Sequence, residues 1–228
     1  MEIYPASLLE NVFHFTSNQY NNYMVVKKPI DTRLLNAIYK SPPWVNLVTP
    51  IQIVTLHSQP AYVVRRFTEL TELKKSRFRR FFESITLIIE YLARENLFHP
   101  KLWSRHSVWV FHDQFYIPPF DPDLSMDARR CLKDAFILAC GLIFEIFELT
   151  FSTLGDYLQN NKTAAVLLPI YKIIFNFSGN YTELYNELNK FKAIPSFTNI
   201  DVETYLATYP AEEVVQRCVL RSLKLIDD

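Results

Sequence analysis

Hydrophobic and polar residues alternate over short stretches in the first third of the chain, which is typical of β-strands with one buried face. Strands are predicted at 11–16, 23–27, 51–56 and 61–67. The first two flank a polar turn, and the last two form a hairpin around a turn that contains proline. Between these pairs a short helix is predicted at 32–39, because Asp31 can cap its first turn and two prolines follow it.

The spacing of apolar residues then changes from that of strands to that of helices. Large apolar side chains recur every three or four positions between Phe78 and Leu92, which predicts a long helix that ends near Asn96. A second hairpin is predicted at 107–117. The remaining segments are predicted to be helices at 130–151, 164–175, 182–191, 202–208 and 211–225. This order, with strands first and helices afterwards, predicts an α+β fold.

The amino-acid composition limits which binding partners and which cellular location the sequence predicts. The 228 residues carry 24 basic and 24 acidic side chains, so a net charge of zero gives no electrostatic reason to expect nucleic acid or an anionic membrane. The longest uncharged apolar run, 135–144, is half of the roughly 20 residues that a membrane span needs. Three scattered cysteines and an N-terminus without signal-peptide character favour an intracellular location, cytoplasmic or nuclear.

Glycine is scarce, and its positions exclude several nucleotide-binding motifs. The three glycines are Gly141, Gly155 and Gly179. No glycine-rich loop can therefore approach phosphate within the first 140 residues. His106, His112 and Asp113 match no recurring zinc spacing, and the motifs of serine hydrolases and zinc proteases do not occur. Neither a metal nor a cofactor is expected.

Several strings, taken in chain order, resemble the protein kinase family. Segment 24–27, Met-Val-Val-Lys, is similar to the V-A-I-K strand, and 97–102 resembles the start of the H-R-D-L catalytic loop. Segment 43–48 looks like the entry to the fourth strand, 62–67 occupies the place of the fifth strand and hinge, and 139–145 is similar to the central hydrophobic helix. The resemblance implies one bilobal domain, with a small β-rich N-lobe and a mostly helical C-lobe. Its implied division is 1–67 and 68–228.

The departures from the family pattern fall on the catalytic positions. Lys101 stands where the resemblance places the catalytic aspartate, and His106 stands where it places the metal-binding asparagine. The D-F-G position reads Pro119-Phe120-Asp121, so its metal-binding aspartate is absent. No glutamate in 32–39 can pair with the strand lysine, and only about ten residues separate Asp121 from the next helix, which is too few for an ordinary activation segment.

These departures predict a catalytically inactive kinase-like protein, a pseudokinase, which acts as an adaptor or scaffold by binding other protein subunits. No nucleotide is expected as a ligand. Two alternatives stay open. One is a divergent active phosphotransferase that uses Asp121 or Asp123 for metal, and the other is a helical scaffold subunit unrelated to kinases. Lys27 is the candidate for a phosphate contact, although a solvated lysine at a strand end is the more ordinary interpretation, since Lys28 and Pro29 follow it.

Two features are candidates for contact with a partner. The densest basic cluster consists of Lys74, Lys75, Arg77, Arg79 and Arg80. Its alternative interpretation is the solvated face at the start of the long helix. Trp103 lies in a polar loop, where an exposed indole would be a suitable interface anchor.

Overall fold

A computed structural model describes residues 3–5, 12–15, 23–26, 30–56 and 59–191. Lys27 and the helices predicted at 202–208 and 211–225 lie outside the described residues. The described residues divide into two compact units. The first contains those up to Glu69 together with 109–121, and the second contains 70–108 and 122–191.

The first unit contains an antiparallel sheet of five strands in the order β1-β2-β3-β5-β4. The strands are β1 (Ile3–Pro5), β2 (Val12–Phe15), β3 (Tyr23–Val26), β4 (Gln52–Leu56) and β5 (Gln59–Arg65). The four strands predicted from alternation are therefore confirmed, and β1 was not predicted. Helix α1 (Thr32–Lys40) follows β3 in the chain, as predicted.

Helix α1 begins where the sequence predicts because Asp31 caps it. The Asp31 carboxylate accepts hydrogen bonds from the backbone nitrogens of Arg33 at 2.8 Å and Leu34 at 3.4 Å. The side-chain hydrogen bond from Arg33 lowers the pKa of Asp31. Leu34 and Ile38 are buried on one face of the helix, which fixes its orientation within the unit.

A second, three-stranded antiparallel sheet also belongs to the first unit and is called the ribbon below. It consists of β6 (Thr68–Glu69), β7 (Trp109–Phe111) and β8 (Gln114–Tyr116). His112 and Asp113 form the two-residue turn between β7 and β8, with φ values of 45° and 65°. Two positive φ angles are the geometry that fits the twist of a tight hairpin. The predicted hairpin is confirmed, whereas β6 was too short for alternation to reveal.

The second unit is helical. Its helices are α2 (Phe78–Arg94), α3 (Ala128–Phe144), α4 (Phe151–Asn160), α5 (Leu168–Phe175) and α6 (Tyr181–Asn189). Helix α2 confirms the strongest periodic segment of the sequence. It packs on α3 through aromatic side chains: Phe78 stacks on Phe82 with ring centroids 5.6 Å apart, and Phe136 meets both edge-on at 6.0 and 5.7 Å.

The prediction of one helix over 130–151 is wrong, because the helix ends at Phe144. Glu145 adopts a left-handed conformation with φ 58°, and the Ile146 nitrogen then donates to the Gly141 carbonyl at 3.2 Å. A side chain at position 141 would place its Cβ 3.2 Å from both the Ile146 oxygen and the Phe147 ring, so the missing Cβ allows the chain to fold back closely. Glu145 and Glu148 consequently do not share a helix face, as the predicted helix would have required.

Candidate functional site

Apolar side chains fill the space between the five-stranded sheet and the ribbon. This group is called the sheet–ribbon cluster. Its members are the buried residues Met24, Val26, Val48, Val64, Phe67, Trp109 and Tyr116, with the half-buried Phe111 packed against them. Each side of the space therefore contributes side chains to one continuous core within the first unit.

Phe67 lies at the centre of the aromatic part of the cluster. Its ring centroid is 5.0 Å from Tyr116, 5.7 Å from Trp109 and 5.7 Å from Phe111. The Arg65 guanidinium lies 4.8 Å from the Phe111 ring centroid, a distance typical of a cation–π contact. Tilted and edge-on rings at these distances are close-packed, so the cluster has the character of a core.

The loop at the H-R-D position is held together by its own backbone. His99 is only 6% exposed, and its Nδ1 accepts a hydrogen bond from the Lys101 backbone nitrogen at 3.0 Å. The Ser107 hydroxyl donates to the Lys101 carbonyl. The Lys101 side chain is exposed. The correspondence of Lys101 with the catalytic aspartate of kinases stays a prediction.

The residues at the D-F-G position have different surroundings. Phe120 is buried, whereas Asp121 is exposed. Asp123, which belongs to the second unit, accepts hydrogen bonds from the Ser125 backbone nitrogen at 2.9 Å and hydroxyl at 2.6 Å, and these bonds lower the pKa of Asp123. Its carboxylate is thereby engaged in a local turn. Within the described residues, no cluster of three or more His, Cys, Asp or Glu side chains could hold a metal ion.

The second unit carries an open groove with a volume of about 450 Å³. Its apolar wall includes Trp103, Phe147, Leu149 and Phe151. Trp103 is 52% exposed and Phe147 is 50% exposed, so both side chains are accessible from solvent. The exposure expected for Trp103 from its loop position is thus present, but its role in binding stays a prediction.

Charged residues of α3 also line the groove. Arg130 and Lys133 line it, and so does Asp134, which is only 4% exposed. The Arg130 Nε lies 3.7 Å from one Asp134 oxygen, and the other oxygen, Oδ2, has no hydrogen-bond partner among the described residues. Burial raises the pKa of Asp134 to about 6, against the opposing effect of the Arg130 charge. The groove therefore contains an unsatisfied acceptor beneath a cationic edge.

Asp134 should give the stability of the protein a specific pH dependence. Its carboxyl has a pKa of about 6 when folded and 3.8 as a free side chain, so the folded state binds the proton more tightly. The resulting stabilisation is complete below about pH 4 and is lost as the pH rises through 6. We expect Asp134→Asn, which cannot ionise, to be more stable than the original chain at pH 8 by on the order of 1–2 kcal/mol, after allowing for solvent in the open groove.

Urea unfolding at a series of pH values between 4 and 8 measures this difference. Exposed Asp156 on α4 provides the control, Asp156→Asn, which also removes one carboxylate. A difference between Asp134→Asn and the original chain that stays constant from pH 4 to pH 8 would contradict the assignment.

The basic cluster predicted from the sequence contains residues of different exposure. Lys74 and Lys75 are exposed, Arg77 and Arg80 are half-buried, and Arg79 is buried. The Arg79 guanidinium donates to the Phe191 carbonyl at 3.1 Å and to the Asn189 side chain at 2.7 Å. Arg79 therefore connects α2 to the end of α6, and partner binding by the exposed members of the cluster stays a prediction.

Sequence reasoning did not find most of the groove. The predicted helix over 130–151 contains Lys133 and Asp134 as well as Phe147 and Phe151, and so does not separate them. The signal that could have separated them is Gly141, which occurs three residues before the last residue of α3. Glycine near the end of an apolar run is a common marker of a helix C-terminus.

The order of elements is like that of a protein kinase fold. A five-stranded sheet with a helix after its third strand is followed by a long helix, a loop, the β7–β8 hairpin and further helices. Within the described residues, no helix is long and apolar enough to cross a membrane.

Comparison with solved structures supports the same fold. No protein-family model matches the chain, and no curated protein matches it. The chain is similar to the PknI kinase domain of Mycobacterium tuberculosis in two crystal structures. One has a TM-score of 0.54 at 10% identity and covers 83% of this chain and 93% of that domain. The other has a TM-score of 0.52 at 11% identity and covers 84% and 94%.

A mutant of the Neurospora crassa PAN3 pseudokinase is also similar, with a TM-score of 0.46 at 11% identity, over 92% of this chain and 59% of that one. The likeness to the two PknI structures shows a protein-kinase-like fold. The prediction is confirmed at that level. The arrangement of two lobes divided after residue 67 stays a prediction, and the ribbon at 109–116 groups with the first unit.

Proposed function

We propose that this chain is a pseudokinase, which does not transfer phosphate and acts by binding other protein subunits. The observation that carries the proposal is the sheet–ribbon cluster, in which Phe67, Trp109 and Tyr116 fill the space between the two sheets of the first unit. We also propose a cytoplasmic or nuclear location, as the sequence predicts.

The position of this cluster matters because of how a kinase holds its nucleotide. A glycine-rich loop and a strand lysine contact the phosphates from one side, and the catalytic-loop asparagine and the D-F-G aspartate hold the magnesium on the other. The ribbon strands β7 and β8 lie in the chain between the positions of those two metal ligands. Close-packed rings between the sheet and the ribbon support the inference that this chain has no open nucleotide cleft there.

The replaced catalytic groups support the same proposal. A lysine ammonium has no acceptor atom, so Lys101 cannot take the place of a carboxylate that accepts a hydrogen bond or coordinates magnesium. His106 and Pro119 stand at the two positions that would supply metal ligands. Phosphoryl transfer depends on placement and charge stabilisation, so the loss of these groups removes most of what the protein supplies.

Nucleotide binding provides the first test. We expect that ATP with magnesium chloride leaves the melting temperature of the purified chain unchanged relative to magnesium chloride alone, because aromatic side chains of the described residues fill the space between the sheet and the ribbon. A ligand at a hundred times its Kd would stabilise the folded state by about 2.7 kcal/mol, which a thermal shift readily detects. An active protein kinase measured on the same plate is the positive control.

A saturable rise in melting temperature would contradict the loss of the nucleotide site. In that case the variant Lys27→Ala decides the alternative. Loss of both the shift and any phosphate transfer in this variant would identify a divergent phosphotransferase. The second alternative, a helical scaffold unrelated to kinases, is disfavoured by the five-stranded sheet and the kinase-like fold.

A further inference from the structure

The groove of the second unit has apolar side chains that nothing in the described residues covers. Trp103 and Phe147 are each about half exposed, and Leu149 and Phe151 continue the same wall. Exposed aromatic residues that converge on one concavity are typical of the centre of a protein interface. A volume of about 450 Å³ is large enough for one or two side chains of a partner.

The charges around this wall are predominantly positive. The Lys133 ammonium lies 5.2 Å from the Phe151 ring centroid, and the Arg105 guanidinium lies 4.9 Å from that of Phe147. Neither cation forms a salt bridge with a carboxylate among the described residues. Each instead rests on the aromatic face that forms the wall.

The cations of α3 also repel one another. Burial lowers the pKa of Lys133, and the neighbouring charges of Arg129 and Arg130 lower it further, while the charge of Asp127 opposes them only in part. A carboxylate brought to this edge would offset that repulsion. Glu148 belongs to the same loop as Phe147, but it does not line the groove. Charge complementarity therefore favours an acidic occupant.

We propose that this groove binds an acidic segment of a partner protein, with a large apolar side chain seated between Trp103 and Phe147 and carboxylates placed against Lys133 and Arg130. This inference rests on the proposed function, since it names the docking surface of an adaptor.

A second copy of the chain fits this surface less well. In a symmetric dimer the same patch meets itself, so the cations of one α3 would face the cations of the other. Like charges across an interface are unfavourable unless an acid separates them. A small inorganic anion would use the cations but would leave the aromatic wall exposed.

The experiment selects ligands from a displayed library of random linear peptides on the purified full chain. We expect enriched sequences to combine a tryptophan, phenylalanine or leucine with neighbouring aspartates or glutamates. Synthetic peptides from the selection should lose at least about tenfold in affinity on Trp103→Ala and on Phe147→Ala. Leu124→Ala, which also removes an exposed apolar side chain from the second unit, is the matched control and should leave affinity unchanged.

Charge exchange makes the test specific. Lys133→Glu should lower the affinity for the acidic peptide. The same variant should bind a peptide that has lysine in place of aspartate more tightly than the original chain does. Circular dichroism of each variant checks that it is folded. Enrichment of basic peptides, affinity that is insensitive to both aromatic substitutions, or a dimer that Trp103→Ala dissociates would each overturn the proposal.

The two proposals fail separately. Phosphate transfer that is lost in Lys27→Ala, together with peptide binding that depends on the groove, would remove the pseudokinase assignment and leave the docking surface in place. If no selected peptide depends on the groove for its affinity, and ATP causes no thermal shift, the docking proposal alone is overturned.

Discussion

Replacing Phe136 by alanine should destabilise the second unit by about 3–5 kcal/mol, the largest single-residue effect that we expect there. Its ring is fully buried and contacts four aromatic rings. These belong to Phe78, Phe82, Phe151 and Tyr171, with centroids 5.7–6.3 Å away. The surrounding rings come from three other helices, so they cannot all move into the cavity that the substitution leaves.

Urea unfolding followed by far-ultraviolet circular dichroism measures this effect, because the second unit contains most of the described helical residues. The control is Phe175→Ala, since the Phe175 side chain is 52% exposed and its removal should change stability by no more than about 0.5 kcal/mol. Equal effects of the two substitutions would mean that Phe136 is not a core residue.

Replacing Phe67 by alanine should have an effect of similar size, about 3–5 kcal/mol, on the first unit. This ring touches Trp109, Phe111 and Tyr116 in the ribbon, and it follows the last residue of β5 by two positions. Its loss removes the contact on which the packing of the ribbon against the sheet depends. The expected cavity lies among side chains from both sheets.

Trp109 can report this unfolding by itself. The chain has three tryptophans, so a background with Trp44→Phe and Trp103→Phe leaves the buried Trp109 as the only indole. Its fluorescence should shift to longer wavelength at a lower urea concentration in Phe67→Ala. The exposed Ile53→Ala on β4 is the control. An unchanged midpoint for Phe67→Ala would contradict the role of Phe67 in the cluster.

The sequence predicts the fold best where one face of an element is buried. Helix α2 repeats large apolar residues from Phe78 to Leu92, and its observed bounds lie within two residues of the prediction. The short strand β6 has only two residues, too few for any periodicity. The end of α3 was missed because Ile146 and Phe147 continue the apolar pattern, while the left-handed backbone at Glu145 is fixed by packing near Gly141.

The candidate sites were predicted unequally for the same reason. Lys101 and Pro119 can be recognised as departures from the kinase pattern by aligning short strings in order, so the prediction that catalytic groups are missing needs the sequence alone. The groove combines Trp103 with α3 and the loop after it, and only the folded chain brings those segments together. Likewise, the filling of the sheet–ribbon space depends on Phe67 and Tyr116, which are far apart in the sequence.

The ribbon also determines when the sheet–ribbon cluster can be completed during synthesis. Trp109 and Tyr116 leave the ribosome well after Phe67, by roughly 2–10 s at ordinary elongation rates. During that interval the side chains of Met24 and Val64 cannot pack against Trp109 and Tyr116, so they are available to chaperones. A fragment that stops at Glu69 would keep that surface bare permanently and should aggregate.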